Sequence, residues 1–309
     1  MKKQLDQYGL HLSKANGPSF SNPPARWVTD ASCLSKADII LVTVKSSGTE
    51  VIADEIAKHA KSSVIVCSLQ NGVTNLPILR KKLPKSCSLI GCVVPYNVVQ
   101  LGEGKFKQAT LSELLIGDEA MANKFKEYEL PCQSHDNIEA AMYGKLLINL
   151  TNAVNALSGL SLRDVYSTYG YRRVVSASMK EALAVYSAAG VEVEPVNLKL
   201  PLWLIPHGFL LPNVLFSMLV RDLKKIDPSS RVSMCEDLDR GRKTEVMELN
   251  GVIVDMGENA NPNKQALDCL GARGRRRESA IGWLCRNAGR GYRLNLSSFG
   301  RQVTVLTYR

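Results

Sequence analysis

Three apolar, β-branched runs separated by helix-patterned segments constrain the fold of this 309-residue chain more than any other feature. The runs lie at 38–45, 62–72 and 87–94, and the segments between them, 49–60 and 76–83, have helical spacing. A run without alternating polar residues is typical of a strand that is buried on both faces, as in a parallel sheet. Strands that alternate with helices therefore predict an open α/β sheet.

The pattern changes near residue 139, and this change predicts the domain organisation. Segments 112–117 and 130–138 have the pattern of short edge strands, whereas almost all later segments have helical spacing. We therefore expect a sheet domain over 1–138, a helical domain over 139–270 and a divergent, arginine-rich tail over 271–309. The predicted helices of the second domain are 139–156, 171–189, 214–226 and 241–256.

The net charge of +10 belongs mainly to the tail. Residues 271–309 contain nine arginines and one acidic residue, Glu278, while the other 270 residues carry 30 basic and 28 acidic side chains. A nearly neutral body argues against a nucleic-acid groove, although the tail does place aromatic residues among its arginines. Because like charges repel, we expect the tail to bury little apolar surface, to be poorly ordered and to hold no site.

Cysteine usage and hydropathy indicate a cytoplasmic protein without a metal site. The eight cysteines form no C-x-x-C pair, and no histidine cluster has metal-ligand spacing. The amino-terminal residues lack the apolar core of a signal peptide. The most apolar stretch, 202–219, is interrupted by proline, histidine, glycine and asparagine, so it predicts packed helix and turn, not a membrane span.

Polar residues follow two neighbouring strands of the predicted sheet. Lys45 ends the first run, and Gln70, Asn71 and Gly72 end the second. Ligands of open α/β sheets bind outside the carboxyl ends of the strands. The alternative is ordinary loop chemistry, because Asn-Gly is a common turn. The occurrence of both features on adjacent strands favours a ligand site.

The segment 144–159, GKLLINLTNAVNALSG, combines an apolar composition with a polar face. Lys145, Asn149 and Asn152 stand at i, i+4 and i+7, which places them on one side of a helix. Burying such groups is costly unless a polar partner meets them. One cation with two amides suits a small anion that carries a carbonyl group. The alternative is a helix at a domain seam whose polar face lies in water.

Four motifs resemble those of the ketopantoate reductase (2-dehydropantoate 2-reductase) family in order and spacing. They are DIILVTVK around Lys45, SLQNGV around Asn71, GKLLIN at 144–149, and S-M-x-x-D followed by R-x-T-E from Ser233 to Glu245. The resemblance implies a truncated Rossmann-like parallel-sheet domain followed by an all-helical, 6-phosphogluconate-dehydrogenase-like domain. It also implies NADPH-dependent reduction of a 2-keto acid, 2-dehydropantoate to pantoate, in cytoplasmic pantothenate biosynthesis, with a homodimer as the assembly.

The same resemblance implies roles for individual residues. Lys145 is the general acid, and Asn149 and Ser233 hold the keto acid, with Asn152 beside them. Asn71 lies at both the nicotinamide and the substrate, next to Gly72. Lys45 lines the cofactor cleft, and Glu245 contacts cofactor and substrate.

Three departures from the family pattern support an alternative, a truncated or aberrant and catalytically impaired member. The family has a second asparagine eight residues after the lysine, where this chain has Ala153. No Gly-x-Gly-x-x-Gly turn lies in residues 1–37, and Gly102-Glu103-Gly104 lacks the third glycine, so we expect weak NADPH binding or none. The family's last helix gives way here to GARGRRRES.

Overall fold

The computed structural model describes residues 2–14, 19–21, 27–108, 112–196, 200–219, 232–260, 281–282 and 284–285. It divides into two compact units. The first comprises residues 1–71 and 75–138, and the second comprises residues 72–74 and everything from 139 onward. Each unit is described separately below.

The first unit mixes strands and helices. Its elements, in chain order, are α1 (Lys2–Tyr8), β1 (His11–Ser13), β2 (Ser19–Ser21), β3 (Ile39–Val42), α2 (Thr49–His59), β4 (Ile65–Ser68), α3 (Asn75–Lys82), β5 (Ser88–Val93), β6 (Val98–Gly102), β7 (Lys105–Gln108), β8 (Leu114–Ile116), α4 (Glu119–Glu127) and β9 (Cys132–Ser134).

The larger sheet has the strand order β3-β4-β5-β8-β9. Strands β3, β4 and β5 are parallel, which confirms the α/β class. All three predicted strands form, but β3 lies at an edge and its Leu41 is 47% exposed, so it is not buried on both faces. The two strands predicted for edges also form, but β8 lies inside the sheet, antiparallel to β5, and only β9 is at an edge. Apolar residues of the sheet pack into two clusters, one centred on Val42, Ile56 and Leu79 and the other on Cys92, Ile116 and Met121.

A second sheet, with the order β2-β1-β7-β6, was not predicted from the sequence. Its strands are three to five residues long and mostly exposed, so they lack the apolar pattern that marks a core strand. Gly102, Glu103 and Gly104 form the turn between β6 and β7, and all three have positive φ angles (87°, 48° and 71°). This glycine pair is therefore a hairpin turn, as its context in the sequence indicated.

The second unit contains helices joined by loops, and no strand, in its described residues. Its α-helices are α5 (Ile138–Asn149), whose first residue belongs to the first unit, α6 (Thr151–Ser158), α7 (Leu162–Ser167), α8 (Tyr169–Ala188), α9 (Ile205–Gly208), α10 (Asn213–Leu219), α11 (Ser233–Asp239) and α12 (Val252–Ala260). A π-helix, Met247–Gly251, leads directly into α12. None of the helices in the described ranges combines the length and apolarity that a bilayer-spanning segment needs.

Two predicted helices differ in the structure. The segment 139–156 forms two helices, α5 and α6, with a turn at Leu150 between them. The segment 241–256 becomes helical only after Glu245, because Gly241 (φ 61°) ends α11 and the Arg242 amide donates to the Asp237 carbonyl (2.7 Å). That bond is the Schellman closure of a helix end. The predicted helix 214–226 can be compared with α10 only up to residue 219, because residues 220–231 lie outside the described ranges.

Part of the tail is packed, which contradicts the expectation that it buries little apolar surface. Ile281 and Leu284 are fully buried, and the Ile281 amide donates to Glu181 Oε2 (3.3 Å). The reason is local composition, because Ile281, Leu284 and Cys285 stand at i, i+3 and i+4 between two arginine-rich segments. Most of the remaining tail lies outside the described residues.

Candidate active site

In the first unit, the structure brings two strand-end loops together. Lys45 lies three residues beyond β3, and Asn71 lies three residues beyond the neighbouring parallel strand β4. The Ser46 hydroxyl donates to the Asn71 carbonyl oxygen (3.3 Å), which joins the loops directly. Lys45 is exposed and Asn71 is half-buried, so both remain accessible at the carboxyl edge of the sheet.

A buried polar network beneath these loops was missed by sequence reasoning. Gln70 Nε2 donates to the Val44 carbonyl (2.9 Å) and to Thr49 Oγ1 (2.7 Å). Thr49 Oγ1 in turn donates to Asn75 Oδ1 (2.7 Å). Gln70, Thr49 and Asn75 are all buried, so their bonds form where water cannot replace them.

Asn75 connects this network to Asn71, one of the predicted site residues. Its Nδ2 donates to the Asn71 carbonyl (2.7 Å) and to Ser46 Oγ (3.2 Å). Gly72, the next predicted residue, is buried with a φ of 84°, a backbone conformation that favours glycine. The sequence indicated a ligand site at Gln70, Asn71 and Gly72, but gave no sign that Asn75 supports it from below.

In the second unit, Lys145 lies on α5 and interacts with a carboxylate. The side chain is half-buried, and burial lowers its pKa from 10.5 to about 8 because desolvation disfavours the ammonium. The charge of Glu245 opposes this shift and raises the pKa. Lys145 and Glu245 are therefore electrostatic partners within one unit.

Glu245 is positioned by the turn that follows α11. It is half-buried, and its carbonyl accepts a hydrogen bond from the Leu249 amide (2.9 Å) in the π-helix. Short π-helical segments occur frequently at functional sites. The predicted helix 241–256 was wrong for Glu245, which lies in irregular backbone just before the helix begins.

The two predicted amides lie on different helices. Asn149 is the last residue of α5 and Asn152 is the second residue of α6, and both side chains are half-buried. Ala153, which stands where the resemblance places a second asparagine, is fully buried in the core. The accessible amide of α6 in this region is therefore Asn152.

Ser233 is the first residue of α11 and is exposed. Val232 occupies the N-cap position, and no side chain caps this helix. Ser233 is therefore not the N-cap of this helix, and its exposed side chain can meet a ligand.

Gly144 fixes the backbone beside Lys145. A Cβ at this position would overlap the carbonyl oxygen of Glu194 and lie 2.9 Å from its carbonyl carbon. The Glu194 amide also donates to the Ala140 carbonyl (3.1 Å), so an extended segment lies directly against α5. This close approach fixes α5, the helix that carries Lys145, against the segment that contains Glu194.

The two units offer different chemical groups. The second unit offers an ammonium with a lowered pKa, a carboxylate, two accessible amides and an exposed hydroxyl. Such groups can bind an anionic carbonyl compound and stabilise the charge that develops on its oxygen. The first unit offers an exposed cation and a rigid loop at the edge of a parallel sheet, where nucleotide cofactors bind.

Comparison with known proteins identifies relatives for most of the chain. The family model described as ketopantoate reductase PanE/ApbA matches residues 2–120, and the model of the C-terminal part of the same family matches residues 137–273. A 2-dehydropantoate 2-reductase from Archaeoglobus fulgidus is 28% identical over 232 residues, which cover 72% of this chain and 70% of that protein.

Solved structures show the same architecture. A PanE/ApbA family ketopantoate reductase from Ralstonia eutropha superposes with a TM-score of 0.70 at 26% identity, covering 93% of this chain and 85% of that chain. D-mandelate dehydrogenase, solved with NADH and anilino(oxo)acetate, gives a TM-score of 0.69 at 18% identity, covering 93% and 87%. The second likeness is one of fold alone.

Proposed function

This chain belongs to the ketopantoate reductase family of NAD(P)H-dependent oxidoreductases, and we propose that it reduces a small 2-keto acid with NADPH. The proposed reaction is the reduction of 2-dehydropantoate to pantoate. The names of the matched relative and of the Ralstonia eutropha structure support this substrate.

The observation that carries the proposal is the pairing of Lys145 with Glu245. A pKa of about 8 leaves Lys145 mainly protonated at neutral pH yet able to release its proton readily. As a carbonyl carbon is reduced, negative charge develops on its oxygen, and a nearby ammonium stabilises that charge. Lys145 then donates the proton that completes the hydroxyl group. Glu245 keeps the ammonium charged.

Three polar side chains of the second unit are proposed to bind the keto acid. Asn149 and Asn152 donate amide hydrogens to the carboxylate or the keto oxygen, and Ser233 donates its hydroxyl. Asn152 replaces the amide that the family has one residue later, since Ala153 is enclosed in the core. Because this amide stands one residue earlier than in the family, 2-keto acids other than 2-dehydropantoate should also be tested as substrates.

The first unit is proposed to hold the cofactor, which supplies a hydride when bound. The exposed Lys45 suits a cofactor phosphate, and Asn71 is proposed to lie at the nicotinamide, next to Gly72. Gly72 fits this role because its positive φ, which favours glycine, sets the course of the chain after Asn71. The network around Asn75 fits it as well, because it holds the Asn71 backbone rigidly.

The direct test is to follow the loss of NADPH absorbance with the purified full chain and 2-dehydropantoate. We expect turnover with NADPH that is faster than with NADH. Benzoylformate, the 2-keto acid that corresponds to mandelate, is the matched alternative substrate. Faster turnover of benzoylformate would replace the proposed substrate, and no turnover with any 2-keto acid would favour the catalytically impaired alternative.

Several organisational features stay predictions. We propose the domain limits 1–138 and 139–270, a cytoplasmic location and a homodimeric assembly. Limited proteolysis tests the domain limits, and sedimentation velocity of the purified chain tests the assembly.

A further inference from the structure

Asn155 on α6 is a fully buried amide that uses both of its ends. Its Nδ2 donates to the Leu160 carbonyl (2.9 Å). Its Oδ1 accepts from the Val232 amide (3.3 Å) and from Cys235 Sγ (3.0 Å). One side chain therefore joins α6 to the start of α11, across 77 residues of sequence.

These bonds bracket Ser233. Val232 lies before it and Cys235 lies two residues after it, and both donate to the same oxygen of Asn155. The Val232 carbonyl is also fixed, because it accepts from the Cys235 amide (2.9 Å). The backbone on either side of Ser233 is thus anchored, while Ser233 itself remains exposed.

We propose that Asn155 is a positioning residue that aims the Ser233 hydroxyl at the keto acid. The proposal rests on the proposed function, in which Ser233 binds that substrate. Asn155 cannot contact the substrate itself because it is fully buried. Since Asn152 lies one turn earlier on the same helix, α6 presents one substrate group directly and fixes the second through Asn155.

The central experiment replaces Asn155 by leucine, which has the same branching and a larger side chain but no polar atoms. Asn155→Leu should raise KM for the keto acid about tenfold, which corresponds to about 1.4 kcal/mol, because the backbone around Ser233 loses its buried hydrogen-bond partner. The value of kcat should change less, because Lys145 is untouched. Asn155→Asp keeps an acceptor oxygen for Val232 and should restore most of the KM. Asn155→Ser provides a second test if the leucine variant does not fold.

The matched control is Ser176→Ala. Ser176 is also buried in the second unit, and its hydroxyl donates to the Pro206 carbonyl (2.7 Å), away from α11. This control loses a buried hydrogen bond but should leave KM unchanged. An equal rise in KM for both variants would show a general loss of stability and overturn the positioning role.

A second measurement does not depend on turnover. Amide hydrogen exchange at Val232 and Cys235 should be faster in Asn155→Leu than in the wild type, and unchanged in Ser176→Ala. Unchanged exchange in Asn155→Leu would overturn the proposal.

Ser233→Ala separates this inference from the proposed function. If Ser233→Ala leaves KM unchanged, the substrate role of Ser233 is wrong, and the aiming role of Asn155 is wrong with it. If Ser233→Ala raises KM but Asn155→Leu does not, only the Asn155 proposal is wrong. In the double variant we expect the KM of Ser233→Ala alone, because both changes remove one interaction. If the KM of the double variant instead rises by the product of the two separate effects, Asn155 does not act through Ser233, and the proposal is wrong.

Discussion

The strand-end loops of the first unit and the helices of the second unit hold their candidate site residues by different means. Around Asn71, neutral side chains such as Gln70 and Asn75 form a buried hydrogen-bond network. Around Lys145, which lies on the mostly apolar helix α5, the partner is the charged Glu245 in the irregular backbone that follows α11.

The difference indicates a division of tasks. A satisfied network of neutral groups fixes a loop at little electrostatic cost, which suits a surface that only has to bind. Partial desolvation lowers the pKa of an ammonium group, which suits a group that has to release a proton. We therefore expect changes in the first unit's network to act mainly on stability and changes at Lys145 mainly on rate.

The largest expected effect is that of Lys145→Met. Loss of a positioned acid costs about 10²–10⁴ in rate, so kcat should fall by that amount. The free energy of unfolding should change little, because methionine fills similar space without a desolvated charge. Steady-state kinetics and urea denaturation measure the two quantities. Lys124→Met, an exposed lysine on α4, is the control and should change neither.

Leu284→Ala tests whether packing of the tail supports the second unit. Leu284 is fully buried, and truncating such a side chain typically costs about 2–5 kcal/mol. The urea midpoint should fall accordingly, and deletion of 271–309 should lower it further. Leu215→Ala, at a side chain 51% exposed, is the matched control. A tail deletion that leaves unfolding unchanged would show that this packing contributes nothing.

Asn75→Ala tests the network of the first unit. It removes the acceptor of the Thr49 hydroxyl and one of the two donors to the Asn71 carbonyl, which keeps only its bond from Ser46. The expected loss is about 1–3 kcal/mol of unfolding free energy, with a higher KM for NADPH and a nearly unchanged kcat. Ser35→Ala, which removes an exposed hydrogen bond, is the control. A fall in kcat like that of Lys145→Met would break the division of tasks.

The smallest expected effect is a shift of the pH profile in Glu245→Gln. Lys145 must carry a proton to act as an acid, so the rate should fall as pH rises through about 8. Glu245 raises the pKa of Lys145, and its neutral replacement should therefore move this alkaline limb to lower pH. Rates measured from pH 6 to about 9 test the shift. A limb that stays in place would show that Glu245 does not hold the proton on Lys145.

The sequence predicted best where one local pattern decides the structure. Strand β5 is a continuous apolar run and α8 has a clear helical period, so both were found close to their observed limits. The runs 38–45 and 62–72 located β3 and β4 but extend past the ends of both strands. The placement of Lys45 and Asn71 on neighbouring strand ends followed from the parallel order alone.

Features that depend on distant contacts could not be predicted. Gln70 and Asn75 are recognisable only once β3 and β4 bring their loops together. Asn155 meets Val232 across 77 residues, which no local spacing reveals. The tail was judged by its net charge, whereas burial of Ile281 and Leu284 depends on a short apolar segment within it.

The contact of Gly144 with Glu194 has a consequence for how this gene can change. Every single-base substitution of a glycine codon that alters the amino acid introduces a Cβ, and a Cβ at position 144 would overlap the Glu194 carbonyl. Every single-base substitution that replaces this glycine with another amino acid therefore disturbs the packing, although the residue carries no functional group. Gly144, the neighbour of the proposed acid, is thus constrained by backbone geometry alone. Another residue could be accepted at position 144 only after the segment that contains Glu194 has moved away from α5.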